Sequence, residues 1–116
     1  MTFVPSLDAR RSAPPLVLDL TRASETALAA GVRAPRRADR MVIDLGERRT
    51  LPPDAIEALL ATHRALRRAR GRCAIVVGPA LASQLSLAYP EGLLWAADRE
   101  AALAALRGRA GAPRSP

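Results

Sequence analysis

The chain contains no lysine, one histidine, one cysteine and only three aromatic residues, Phe3, Tyr89 and Trp95. Each shortage excludes something. A single cysteine, Cys73, rules out an intramolecular disulfide and a multi-cysteine metal site. One histidine among scattered aspartates gives no zinc- or calcium-type ligand spacing. Aromatics at 3% argue against extensive stacking on a planar ligand, and leave the core to Leu, Ile, Val and Ala. No apolar run approaches the roughly 20 residues of a membrane span. The N-terminus lacks the basic-then-apolar order of a signal peptide, so the expected location is cytoplasmic, with no membrane association. A G-x-G-x-x-G phosphate loop is missing, since Gly78 stands alone after its strand. No cofactor is expected.

What is present suffices for a fold. Hydrophobic residues make up 49% of 116 residues, enough for one domain with a modest core. The net charge of +7 rests wholly on arginine. A chain rich in Ala and Arg and free of Lys is what a GC-rich genome produces, with arginine filling ordinary surface positions. The same charge also suits nucleic acid, an anionic surface or an acidic protein partner.

Residues 1–14 form a mixed N-terminal segment in which Thr2-Phe3-Val4 has the composition of a short edge strand. Leu16-Val17-Leu18-Asp19-Leu20 is the first confident strand, bounded by Pro14-Pro15 and Thr21. A short helix follows, with Ser24 as N-cap, Glu25 at the positive end of the dipole and Gly31 as stop. Val32 to Arg40 reads as an exposed, arginine-rich loop. Met41-Val42-Ile43-Asp44-Leu45 repeats the first strand's pattern, with an aspartate next to last in both, as expected of two equivalent strands in one sheet.

The strongest helix runs from about Pro53 to Arg70. Ile56, Leu59, Leu60, His63 and Leu66 recur on one face, while Glu57, Arg64, Arg67 and Arg68 lie on the other. Pro52 and Pro53 suit its first turn and Gly71 its end. Cys73 to Val77 is apolar throughout, which fits a central strand covered on both faces. A helix over about Ala80 to Ala88, a short strand Leu93 to Ala96 and a helix from the Asp98 cap through Leu106 complete the order. Residues 108–116 have the composition of a disordered tail. Strand and helix alternate four times, which predicts an α/β domain over residues 15–107, with about four mostly parallel strands and about four helices.

Residues 15–107 resemble the STAS, or anti-sigma factor antagonist, family. Leu18-Asp19-Leu20, Met41 to Leu45, the helix from Ala55 to Arg64, Gly71 with Cys73 to Val77, Gly78-Pro79-Ala80 and Asp98 to Leu103 are similar to successive segments of that family. The resemblance implies a non-catalytic bacterial module that regulates transcription by protein binding. The implied partner is an anti-sigma factor or another kinase-type regulator. By carry-over, the docking surface includes Thr50, Asp54, Glu57 and Arg64.

One departure stands out. Where the family commonly carries a phosphorylatable Ser or Thr at the start of the long helix, this chain has Pro52-Pro53-Asp54-Ala55, and Thr50 is misplaced. A phosphorylation switch at that site is not expected. Asp54 admits two readings. It is a fixed, partial mimic of the phosphorylated residue, carrying one charge where phosphate carries about two. Alternatively, Pro-Pro-Asp is a good helix start and nothing more.

Other candidate sites are weaker. His63 falls on the apolar face of its helix rather than beside a nucleophile. Asp19 and Asp44 end neighbouring strands, where paired carboxylates can do acid–base chemistry but strand-end aspartates usually cap turns. Arg33, Arg36, Arg37 and Arg40 crowd the loop, and Arg64, Arg67, Arg68, Arg70 and Arg72 run off the helix end; if the two converge they form an anion patch, with Arg36, Arg37, Arg67 and Arg68 as its candidate residues. Nucleic-acid binding is therefore the alternative function, although aromatics for stacking are few and no binding motif is present. An enzyme is not expected.

Overall fold

The computed structural model describes residues 14–34, 38–89 and 92–107. Strands β1 (Leu16–Asp19), β2 (Arg40–Asp44), β3 (Arg72–Val76) and β4 (Leu94–Ala96) alternate with helices α1 (Glu25–Arg33), α2 (Pro53–Arg68), α3 (Pro79–Ala88) and α4 (Arg99–Arg107). The four strands form one all-parallel sheet in the order β1-β2-β3-β4. The apolar runs explain the strands and the three- and four-residue spacing explains the helices.

Sheet order fixes the layering. Each crossover moves one strand in the same direction, and crossovers of one hand then stack their helices on one face. α1, α2 and α3 accordingly share a core with Met41, Ile43, Cys73, Ile75 and Val77. α4 covers the other face, packing Ala102 and Leu106 on Val42, Ala74 and Val76. β3, buried on both faces, needs the unbroken apolar run it has. α4 reaches β2, β3 and β4. At the sheet edge, Leu16 and Val17 of β1 remain 36% and 37% exposed.

Three local expectations are corrected. Gly31 does not stop α1, which continues through Val32 to Arg33, so Val32 is a buried core residue and not part of a loop. Arg40 likewise belongs to β2. Ser24 occupies the N-cap position of α1, but its hydroxyl pairs with the Thr26 hydroxyl instead of a backbone amide. Asp98 does cap α4, its Oδ1 accepting from the Ala101 amide at 2.8 Å.

The end of α2 is the third correction. Gly71 was the expected left-handed residue, yet Arg70 takes that conformation with φ of 64°. The Gly71 amide donates to the Leu66 carbonyl at 2.6 Å and the Arg70 amide to the Arg67 carbonyl at 3.0 Å, the paired bonds of a Schellman ending. An L-residue at this position costs about 1 kcal/mol relative to glycine. Gly71 serves another purpose, because a Cβ there would sit on the Asp39 carbonyl group.

Candidate functional site

The carboxyl ends of β1 and β2 bring Asp19 and Asp44 into register as neighbours. Arg99, the first residue of α4, closes over both. Its Nε donates to Asp44 Oδ2 at 2.6 Å and its terminal nitrogen lies 2.8 Å from Asp19 Oδ2. The remaining oxygens are also engaged. Asp44 Oδ1 accepts from the Gly46 amide at 3.0 Å. Asp19 Oδ1 accepts from the Thr21 amide at 3.0 Å and the Thr21 hydroxyl at 2.7 Å. A carboxylate pair that does acid–base work needs one group ready to take a proton. Here both are committed to donors, so the arrangement is a clasp that ties α4 to the sheet.

The electrostatics agree. The Thr21 hydroxyl and amide, followed by Arg99, lower the Asp19 carboxyl from 3.8 to about 2. Asp44 and then Asp19 hold the Arg99 guanidinium more firmly protonated than usual. A depressed carboxyl stabilises the fold above its unfolded value and loses that contribution as pH falls through the folded one. Asp19's contribution is therefore expected to fade between roughly pH 4 and pH 2. In carboxyl NMR titrations its resonance should reach half-titration near pH 2, and Thr21→Val should move it back toward 3.8. An Asp19 signal already titrating near pH 4 would dissolve the clasp.

In open parallel sheets, ligands favour the crevice where successive connections leave to opposite faces. Here that divergence falls between β3 and β4, whose following helices α3 and α4 lie on opposite faces. The chain there is Gly78-Pro79 and Ala97-Asp98, and the Asp98 carboxylate is occupied in capping. Among the described residues, no group of three or more His, Cys, Asp or Glu gathers to hold a metal. Burial alone pushes the Cys73 thiol up from 9.0 to about 11, which keeps it neutral and poorly nucleophilic near pH 7.

The docking residues carried over by resemblance fall on exposed surface. Thr50 lies in the approach to α2, and Asp54, Glu57, Ala61, Arg64 and Arg68 follow at three- and four-residue steps, all exposed. They form one outer stripe, acidic at its start and basic at its end. Asp54 sits in the first turn, where its charge complements the helix dipole. His63 points the other way and is buried.

Arg36 and Arg37 lie outside the described residues. The residues flanking them, Arg33, Ala34 and Ala38, line a groove with Thr62, Ala65 and Leu66 of α2. Arg67 and Arg68 are exposed at the end of α2, beside two concavities. One of about 430 Å³ is lined by His63, Arg67, Arg70, Arg72, Gly92 and Leu94, among others. The other, of about 410 Å³, is lined by His63, Arg64, Arg67 and Arg68. Arg67, Arg70 and Arg72, all in the arginine run at the helix end, thus line one hollow. Arg70 and Arg72 follow the helix end, and the Schellman turn directs them there.

Arg48 is an arginine that the sequence does not single out. It donates to the carbonyls of Leu20, at 3.0 Å, and Ala23, pinning the turn after β1 to the turn after β2. Its Nε is buried without a partner. No local pattern marks it, because both acceptors are backbone atoms more than 20 residues away.

No family model, curated protein or solved structure matches the chain.

Proposed function

We propose that the chain is a non-catalytic protein-interaction module, similar in kind to an anti-sigma factor antagonist of the STAS family, which docks through the outer stripe of α2. The observation that carries this reading is the exposed run Asp54, Glu57 and Arg64 along one helix, with Thr50 in its approach, graded from acid to base. A rigid helix face with ordered charge sets the register of a partner and suppresses mismatched ones. The clasp adds support, since it leaves neither Asp19 nor Asp44 available for acid–base chemistry. The proposed partner is a protein regulator of the kinase-type ATPase class, met in the cytoplasm. With Asp54 in place of a phosphoacceptor, docking is constitutive.

The test uses tagged chain and nuclease-treated lysate. Asp54→Lys with Glu57→Lys should reduce recovery of the bound protein at least tenfold, as expected when two interfacial charges become repulsive. Glu100→Lys, on exposed α4, should leave recovery unchanged. Undiminished recovery by the double variant would remove this surface from the reading. Binding lost on nuclease treatment would transfer the function to nucleic acid, the alternative that the arginines at the end of α2 favour.

A further inference from the structure

We infer that the concavity at the amino end of the sheet is a binding site for a compact phosphate-rich anion, such as a di- or triphosphate group. It lies at the opposite end of the strands from the clasp and does not depend on docking along α2.

Three elements converge to build it. The end of α2 supplies His63 and Arg67, the Schellman turn supplies Arg70 and Gly71, the starts of β3 and β4 supply Arg72, Cys73 and Leu94, and Gly92 lies just before β4. Its volume of about 430 Å³ lies within the range of small-molecule sites. Among the described residues, Arg67, Arg70 and Arg72 have no carboxylate partner, in contrast to Arg99. Three guanidiniums around one hollow repel each other unless an anion lies between them, and their planar donor forks match phosphate oxygens.

Arg70 is the second, independent observation. Its left-handed backbone is a position that glycine fills best, and glycine is the next residue in the chain. Strained positions of this kind cluster where ligands are held. The strain has a use if the Arg70 side chain meets a ligand in the hollow that it lines. The lining also narrows the ligand class. Among the described residues it offers Leu94 and the neutral Cys73 but no Trp, Tyr or Phe, so it recognises charge and not a stacked base.

Calorimetric titration of the full chain with inorganic triphosphate tests this. One saturable site per chain is expected. Arg70→Gly should weaken it at least tenfold without lowering the unfolding midpoint, because glycine relieves the left-handed backbone. Arg72→Gln should weaken it comparably, while Arg49→Gln, exposed on a distant loop, should change affinity less than twofold. A nucleoside triphosphate should bind as well as the inorganic anion, because only the phosphates are held. The inference is overturned by non-saturating heats or by equal weakening in Arg49→Gln, either of which would reflect net charge alone. It is also overturned if the nucleotide binds where triphosphate does not, or if an oligonucleotide competes tenfold better than triphosphate.

Discussion

Replacing Gly71 with alanine is expected to destabilise the domain by about 3 kcal/mol, the upper part of the range for forcing atoms into filled space. In a domain of this size, that lowers the unfolding midpoint by more than about 10 °C. A Cβ at position 71 would lie on the Asp39 carbonyl oxygen and only 3.1 Å from both the carbonyl carbon and Cα of the same residue. These are backbone atoms and have no rotamer with which to retreat. They are also held in place, because the Arg72 amide donates to the same Asp39 oxygen at 2.8 Å. On the other side, the Gly71 amide is committed to the Leu66 carbonyl. Moving either strand start breaks one of these bonds. Trp95, the single tryptophan, packs against the main core and serves as the fluorescence reporter. A midpoint within 2 °C of the parent would mean that the two chain segments separate freely, and that the junction of α2 and β3 is far softer than its contacts imply.

The contrast with Arg70 explains where sequence reading failed. Gly31 and Gly71 were both expected to end helices, because glycine adopts the left-handed backbone at low cost. Neither does so. Gly31 lies inside α1, where a Cβ would press on the Leu20 side chain at 2.9 Å. Gly71 makes room for Asp39. In both, the missing side chain matters more than the freedom of the backbone, and the neighbour responsible is over ten residues away. Periodicity carries no information about such neighbours. It did carry the element order, because the strands are apolar strings of the right length and α2 repeats its buried positions over four turns.

The polar sites divide in the same way. The placement of Asp19 and Asp44 at equivalent strand ends was legible, since both runs share one pattern. Their common partner was not, because Arg99 lies 55 residues from Asp44 in the chain. One clue was available. Arg99 opens a helix, where the dipole disfavours a cation, and a cation in that position calls for nearby carboxylates. The exposed stripe of α2 was legible because its polar positions are the complement of its apolar ones. Arg70 and Arg72 were legible as part of an arginine run off the end of α2, but no sequence rule says into which hollow the turn directs them.

Asp44→Ala is expected to destabilise the domain by about 3 kcal/mol, because it removes two charge-assisted hydrogen bonds from a nearly buried position. Asp44 is 7% exposed and accepts from both Arg99 and Gly46, so truncation strands the Gly46 amide and leaves Arg99 with Asp19 alone. Arg99→Leu should lower the midpoint less, since the arginine side chain is 43% exposed and water takes over part of its role. It also leaves two carboxylates side by side on adjacent strands, with no cation between them. The double variant separates a clasp from two independent residues. Once Asp44 is gone, removal of Arg99 has little left to break, so the combined loss should not greatly exceed that of Asp44→Ala alone. Strict additivity in urea unfolding would mean that the 2.6 Å contact carries no stability and that α4 is held by Ala102 and Leu106 alone. Sub-additivity would assign the carboxylate pair to architecture, as the ties that hold α4 against the ends of β1 and β2.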